Sequence, residues 1–233
     1  MPALGAAASL AASSAVGVAS DLASVPDDRA RMLPVHPALT GLFPWGGLRR
    51  GTTVSVRGST SLLFALLAPP TDTGSWAALV GLPDLGLRAA AELGVAVDRL
   101  ALVRHPGRNL PAVVAALLDG MDLVAVDPAR LGDSHLRRLS ARARHRGAVL
   151  VSVGAWPGAD LELTPARVRW AGIGDGHGFL ESRETVLSAR GRGAAVRPVR
   201  AEVLLPAENG TVAPVERYLP VDVRRRLGRV EVS

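Results

Sequence analysis

The sequence predicts an α/β fold, with a mostly parallel twisted sheet flanked by helices and an antiparallel C-terminal extension. Short apolar segments alternate with helix-like segments between residues 52 and 153. Apolar strands joined by helices form parallel sheets that are covered on both faces. After Trp156, β-rich segments are separated by glycine-rich turns, which is typical of antiparallel strands. An apolar content of 48% supports a sizeable buried core.

Each element is predicted from a local pattern in the chain. The parallel strands are short apolar runs, at Thr52–Val56, Ala77–Val80, Leu100–Val103, Leu123–Val126 and Ala148–Val153. Helices are predicted between them at Ser61–Leu67, at Leu85–Leu93, from Asn109 as cap to Gly120 as stop, and from Asp133 or Ser134 as cap to Arg146. The antiparallel strands are expected near Arg167–Ala171, Thr185–Ala189 and Arg200–Leu205.

The chain divides into three parts by composition. Residues 1–33 form a low-complexity Ala/Ser/Gly segment that we expect to be disordered, residues 34–214 form the core domain, and residues 215–233 form a basic tail. The N-terminal segment has no positive charge before Arg29, so it does not fit a signal peptide. No apolar run approaches the ~20 residues of a membrane-spanning helix, and we expect no membrane association.

Composition excludes several kinds of site. The chain has no cysteine, which excludes disulfides and thiolate metal sites. Its formal net charge is +6, and all 27 basic residues are arginine. A GC-rich genome can replace lysine by arginine at surface positions, although the two residues are not interchangeable at a tight phosphate site. Basic charge makes acidic or phosphate-rich partners plausible, and 3% aromatic content leaves few platforms for unpaired bases.

The order of elements and several local strings resemble the RecA recombinase core over residues 34–214. Gly46–Gly51, followed by a strand, resembles the segment that leads into the phosphate loop, and Glu92–Val95 resembles the stretch after the second strand. Asp122–Asp127 resembles the Walker B strand. Arg190–Arg192 resembles the basic segment that reaches a neighbouring subunit in recombinase filaments. The resemblance implies a RecA-like core.

Within that superfamily, a small lysine-free chain is most similar to the ImuA-type accessory proteins of actinobacteria. These proteins belong to a DNA-damage-inducible cassette for mutagenic translesion DNA synthesis in the SOS response. The resemblance implies an adaptor that binds an inactive Y-family polymerase (ImuB-type) and its associated replicative-type polymerase, with RecA as a further candidate partner. It implies a cytoplasmic location, at the nucleoid under DNA damage.

The phosphate-loop position departs from a working site. A phosphate loop needs a run of backbone N–H groups, then Lys, then Ser or Thr for Mg²⁺. Here Gly58 is followed by Ser59, Thr60 and Ser61, and the apolar helix begins at once at Leu62. About four residues of the motif are missing, together with its lysine. We therefore expect a pseudo-ATPase with no catalytic residue, no cofactor and no metal.

Other positions of the nucleotide site also depart from the family. The resemblance places the catalytic carboxylate on Leu82 and the nucleotide-sensing glutamine near Gly154. Asp127 remains at its place, where it either coordinates Mg²⁺ through water or caps the turn at Pro128. Without a triphosphate cradle, we favour the turn cap.

Two clusters of arginines are candidate partner-binding or DNA-binding surfaces. One follows the basic helix, at Arg137, Arg138 and Arg142, and the other precedes the last strands, at Arg190, Arg192 and Arg197. Phosphate tracking or an acidic partner would use such faces. A solvated helix face and charge protection of a strand edge are the structural alternatives. A DNA-binding module and a nucleotide-binding regulator with a degenerate phosphate loop thus remain alternative functions.

Overall fold

The protein has a mixed α/β fold built on one large sheet, as seen in a computed structural model that describes residues 31–174 and 177–215. Its strands are β1 (Met32–Leu33), β2 (Leu48–Arg49), β3 (Thr53–Val56), β4 (Ala77–Val80), β5 (Leu100–Val103), β6 (Leu123–Val126), β7 (Val149–Val153), β8 (Leu161–Gly174), β9 (His177–Gly191), β10 (Val199–Leu204) and β11 (Ala213–Pro214). Its α-helices are α1 (Thr60–Asp72), α2 (Leu87–Glu92), α3 (Leu110–Leu117) and α4 (Asp133–Arg146).

The large sheet has nine strands in the order β11-β10-β9-β8-β3-β7-β6-β4-β5. All neighbours from β8 to β5 run parallel, and β8 to β11 are joined by antiparallel pairing. The predicted α/β class, with a mostly parallel sheet, flanking helices and an antiparallel C-terminal part, is confirmed. The strands β1 and β2 form a separate two-stranded antiparallel sheet.

The helices cover both faces of the parallel strands. On one face α1 and α2 pack against alternate strand residues such as Ala77 and Leu79. On the other face α3 and α4 pack against their neighbours Ala78 and Val80. Successive strand residues point to opposite faces, so a strand buried on both sides must be apolar throughout. This explains why the continuous apolar runs predicted the parallel strands.

The first helix is longer than the sequence predicted. We expected it to stop at Leu67, before two prolines, but α1 continues through Pro69 and Pro70 to Asp72. The hydroxyl of Thr71 donates to the carbonyl oxygens of Leu67 at 2.8 Å and Ala68 at 3.1 Å. These side-chain bonds add to the backbone bonds of the last helical turn, after the two prolines.

Two predicted helix caps are wrong. Asn109 makes no side-chain cap to α3, because its backbone (φ −85°, ψ 2°) belongs to a 3-10 turn at Gly107–Asn109 and not to the extended conformation of a cap. Helix α4 is preceded by Gly132, also without a side-chain cap, and Asp133 is already the first helical residue.

Two antiparallel strands, β8 and β9, are longer than the predicted segments, whereas β10 has the predicted length and begins one residue earlier. β8 and β9 pair along most of their 14 and 15 residues, with register shifts between Pro165 and Arg167 and between Ala171 and Ile173. These irregularities interrupt the alternation of side chains on which strand prediction depends. Among the helices of the described ranges, none is long and apolar enough to cross a membrane.

Part of the predicted domain division lies outside the described residues. This holds for residues 1–30 of the N-terminal segment and for residues 216–233 of the basic tail. Within the described part, the pairing of Met32 with Arg49 brings the end of the N-terminal segment into a sheet.

Candidate functional site

The turn between β3 and α1 is short, and the side chain of one of its residues caps the helix that follows. β3 ends at Val56 and α1 begins at Thr60, so three residues connect them. Gly58 has φ +66°, which lets the chain reverse within that length. The hydroxyl of Ser59 accepts a hydrogen bond from the amide of Leu62 at 3.1 Å. A phosphate loop directs the first amides of its helix towards the phosphates. Here the amide of Leu62 is already bonded to Ser59.

The predicted degenerate-site residues therefore have local roles in this turn. Ser59 is the N-cap residue, and Thr60 and Ser61 lie in the first turn of α1. Arg57, just before the glycine, donates its amide to the carbonyl of Leu163 at 3.0 Å and lies 3.8 Å from the carboxylate of Glu162. Its guanidinium is thus directed to the neighbouring strand β8.

Asp127 lies at the end of β6, separated from β3 by β7. Its Oδ1 accepts a hydrogen bond from the amide of Ala129 at 2.9 Å, which fixes the 3-10 turn at Pro128–Arg130. The structure thus places Asp127 as the cap of the turn that follows its strand. Among the described residues, no three His, Cys, Asp or Glu side chains come together as they would around a metal ion.

The positions that the resemblance gives to a carboxylate and a glutamine lie at the same edge of the sheet. Leu82 follows β4, and its side chain packs against the apolar core. Gly154 follows β7 with φ +138°, and a Cβ built there would lie 3.2 Å from Cγ of Pro128. A glutamine at this position would have to move Pro128 and adopt a backbone conformation that side chains disfavour.

A cavity of about 320 Å³ lies at the carboxyl ends of β4, β5 and β6. We call it the strand-edge cavity. Its polar lining residues are Asp84, Arg104, His105, Asp127 and Arg130. Except for Asp127, sequence reasoning missed them as a group. A signal was present, because Arg104 and Asp127 each follow directly after a predicted parallel strand, and the carboxyl ends of parallel strands meet at one edge.

The arginines of α4 are not equivalent. Arg142 donates from Nε to Oδ1 of Asp119 at 2.8 Å, and Arg146 donates to the same oxygen at 3.0 Å. The hydrogen bond from Arg142, with the positive charges of Arg142 and Arg146, lowers the pKa of Asp119. The same hydrogen bond and the negative charge of Asp119 raise the pKa of Arg142. The side chains of Arg137 and Arg138 are exposed and make no hydrogen bond or ion pair within residues 31–174 and 177–215. The predicted basic face therefore retains two uncommitted arginines.

The second arginine cluster lines an open groove of about 460 Å³. We call it the arginine groove, and its principal lining residues are Trp156, Arg190, Arg192, Val196 and Pro198. Val196 is 64% exposed. Arg197 is exposed beside it. The groove thus combines positive charge with an uncovered apolar side chain, as recognition surfaces do.

The arginines of this groove already contact two carboxylates. Arg190 lies 3.5 Å from Glu162, and Arg192 lies 3.3 Å from Asp160. Gly191, between the two arginines, lies very close to the backbone of Asp160. A Cβ at Gly191 would lie 2.0 Å from the carbonyl oxygen of Asp160. The Arg-Gly-Arg sequence thus presents two cations at a point where only glycine fits.

Comparisons with known proteins give relatives but no described activity. The profile of the family described as MT3502 N-terminal domain matches residues 41–158, just over half of the chain. This segment spans β2 to β7 and so contains the parallel strands β3 to β7 with α1 to α4. The chain is also similar to an uncharacterized protein of Mycobacterium tuberculosis (strain ATCC 25618 / H37Rv), Rv3395c, with 41% identity over 138 residues, which are 57% of this chain and 67% of that protein.

Proposed function

The chain belongs to the family of the MT3502 N-terminal domain, and we propose that it is a non-catalytic adaptor with a RecA-like fold that acts in DNA-damage-induced mutagenesis. Its partner in this proposal is an inactive Y-family polymerase, joined by a replicative-type polymerase. The sequence resemblance suggests the process, and the actinobacterial source of the similar protein is consistent with it.

The RecA-like assignment rests on the arrangement around β3. This strand lies inside the sheet, with parallel neighbours on both sides, and continues through a glycine turn into an apolar helix. A strand, a turn and a helix in this order form the framework of a phosphate loop. The antiparallel strands β9 to β11 extend the same sheet on the side of β8.

The short β3–α1 turn is the observation that carries the non-catalytic proposal. A phosphate loop holds phosphates with several backbone amides and a lysine, whereas this turn has three residues and its cap is the hydroxyl of Ser59. Asp127 is bonded to its own turn, and Gly154 has no room for a glutamine. The separate losses agree with one another, because a site without a phosphate cradle has no use for a catalytic carboxylate.

The arginine groove is the partner surface that we favour. Its cations lie beside exposed Val196 and above the buried Trp156, so an acidic segment with apolar residues would match both properties. Within the fold, Arg190 is paired with the carboxylate of Glu162 and Arg192 with that of Asp160. A partner carboxylate can add to or replace these exposed ion pairs at low cost, since such pairs contribute about 0–1 kcal/mol.

Purification of the complex tests the adaptor proposal. The tagged full-length chain is expressed with the inactive Y-family polymerase from the same genome, and the complex is sought by affinity capture and size-exclusion chromatography. We expect a stable complex that withstands moderate salt. Failure to obtain it with either protein as bait would contradict the proposal.

DNA binding is a second candidate function, favoured by the exposed and uncommitted Arg137 and Arg138. A gel shift on single-stranded and double-stranded DNA at increasing salt separates the two functions. Binding that weakens steeply with salt, and that is lost in the double variant Arg137→Glu and Arg138→Glu, would favour a DNA-binding module. Under the adaptor proposal we expect weak DNA binding and an unchanged polymerase complex in the same variant.

A further inference from the structure

The strand-edge cavity lies where the chain changes direction across the sheet. The helix after β4 is α2, which packs on one face, whereas the helix after the neighbouring β6 is α4, which packs on the other. The two connections therefore diverge and leave a crevice between Gly81 and Asp127, at the ends of these strands. In open α/β sheets, small ligands bind in the crevice outside the carboxyl ends of the strands at such a point.

The cavity holds two arginines whose charges are not used within the fold. The side chains of Arg104 and Arg130 are exposed, and neither side chain makes a hydrogen bond or ion pair with any residue in the described ranges. They reach the same cavity from different strand ends, after β5 and β6 respectively. Two arginines that line one cavity are suited to an oxyanion, because each guanidinium group can donate two parallel hydrogen bonds.

The backbone beside the arginines also suits an anion. The cavity is lined by Gly107, where the 3-10 turn that leads into α3 begins. Gly107 has φ +59°, and no atom lies within 4 Å of the position where a Cβ would stand. A ligand can therefore approach this backbone closely.

The carboxylates of the cavity define the rest of the ligand. Asp84 and Asp127 line the same space, so the two arginines and two aspartates balance in charge when His105 is neutral. Within the described residues, Asp127 uses its side chain for one hydrogen bond, from Ala129 to Oδ1. Its Oδ2 is left for a donor on a ligand. A purely anionic ligand would gain little from such a site, whereas a ligand with both an oxyanion and hydroxyl or amino groups would use all of it.

We propose that the strand-edge cavity binds a small phosphate ester that also carries hydroxyl or amino groups, in the class of sugar phosphates and nucleoside monophosphates. The phosphate lies against Arg104, Arg130 and the backbone at Gly107, and the donors of the ligand face Asp127 and Asp84. A volume of about 320 Å³ suits a metabolite-sized ligand. This site is separate from the β3–α1 turn and from the arginine groove.

Phosphorus NMR on the full-length chain tests the proposal. Inorganic phosphate, a hexose 6-phosphate, the four 5′-ribonucleoside monophosphates and a short oligonucleotide are titrated against the chain, and line broadening gives the affinity. We expect saturable binding at one site per chain, tighter for at least one ester than for inorganic phosphate. The variants Arg104→Gln and Arg130→Gln should each weaken it by about tenfold or more, since each removes a charged hydrogen-bond donor to the phosphate.

Two further variants make the result specific. Arg138→Gln on α4 is the matched control and should change the affinity by less than about twofold, because it removes an equal charge away from the cavity. Asp127→Asn retains an oxygen that accepts from Ala129, and it should weaken the ester more than inorganic phosphate. Unchanged melting temperatures of all variants exclude unfolding as the cause.

Three results would overturn the proposal: no saturable binding of any probe, equal weakening by Arg138→Gln and Arg104→Gln, or binding confined to oligonucleotides. The last would assign the cavity to polymer phosphates, and its affinity would fall steeply with salt. A charge-balanced cavity for a small ester predicts a shallow salt dependence instead. The polymerase complex should form equally well with Arg104→Gln, so failure here leaves the adaptor proposal in place.

Discussion

Arg192 lies 3.3 Å from the carboxylate of Asp160, and the other oxygen of that carboxylate accepts a hydrogen bond from the amide of Thr53 at 2.8 Å. One aspartate thus connects the arginine groove to the start of β3, the strand that precedes the degenerate phosphate turn. Arg144 of α4 lies 3.8 Å from the same carboxylate. Asp160 therefore also connects the arginine groove to the last turn of α4.

Charge reversal in the arginine groove should abolish partner binding without unfolding the chain. We expect Arg190→Glu combined with Arg192→Glu to weaken association with the polymerase by about tenfold or more, because like charges would then face an acidic partner. Both side chains are more than half exposed, at 69% and 59%, so unfolding stability should change by no more than about 1 kcal/mol. Binding is measured by biolayer interferometry and stability by urea titration.

The matched control for that variant is Arg137→Glu combined with Arg138→Glu, which reverses the same number of charges on α4. It should leave the polymerase complex intact. If both double variants weaken the complex equally, overall charge and not the groove determines binding. If neither does, the groove has no part in the interface.

Gly191 should be sensitive to the smallest substitution. A Cβ at this position would stand 2.0 Å from the carbonyl oxygen of Asp160, a contact that only a backbone shift can relieve. We expect Gly191→Ala to lower the free energy of unfolding by about 1–3 kcal/mol, as overpacking does. The substitution should also weaken partner binding, because the backbone shift moves Arg190 and Arg192. The measurement is chemical denaturation with and without the partner.

Gly120→Ala is the control for that substitution, since no atom lies within 4 Å of a Cβ there and its φ is outside the left-handed region. Its unfolding free energy should stay within about 0.5 kcal/mol of the parent. A stability for Gly191→Ala equal to that of Gly120→Ala would contradict the close approach of β9 to Asp160.

Ser59 should matter for the helix and not for a nucleotide. We expect Ser59→Ala to lower stability by about 1 kcal/mol, because the amide of Leu62 loses its cap, and Ser59→Gly to cost only a few tenths. ATP hydrolysis should remain at background in the parent and in both variants. Calorimetry with Mg-ATP provides the second measurement, and micromolar binding that persists with Arg104→Gln but is lost in variants of the turn would refute the non-catalytic proposal.

The parallel half of the fold follows from local sequence because its strands are buried on both faces. Leu123–Val126 is apolar at every position, and a run of this kind between helical patterns has few other interpretations. The C-terminal end of α4 was predicted, since Gly147 ends it with φ +70°, whereas Asp133, expected as a possible cap, is already its first helical residue. The end of α1 was harder to predict, because proline ordinarily ends a helix and α1 nevertheless continues through Pro69 and Pro70.

The candidate sites were predictable in proportion to how local they are. The shortened β3–α1 turn is contiguous, so its residues could be read directly from the chain. The strand-edge cavity brings together Asp84, Arg104 and Asp127 from three separate strand ends, and only the strand order makes them neighbours. The close approach of Gly191 to Asp160 depends on the register between β8 and β9, which no local pattern specifies.

The ion pair between Asp119 and Arg142 should make stability depend on pH in the acid range. The hydrogen bond from Arg142, supported by Arg146, lowers the pKa of Asp119 in the folded chain. A carboxyl whose folded pKa is depressed stabilises the fold at pH values above its unfolded pKa of about 3.9, and this contribution is lost as pH falls through the folded pKa. We therefore expect Asp119→Asn to melt below the parent between about pH 5 and 7 and to converge with it as the pH drops below about 4.

Combining Arg142→Gln with Asp119→Asn should add little to the single change, because the pair is already broken. A constant difference in melting temperature from pH 7 to 3 would show that Asp119 acts through packing and not through its charge.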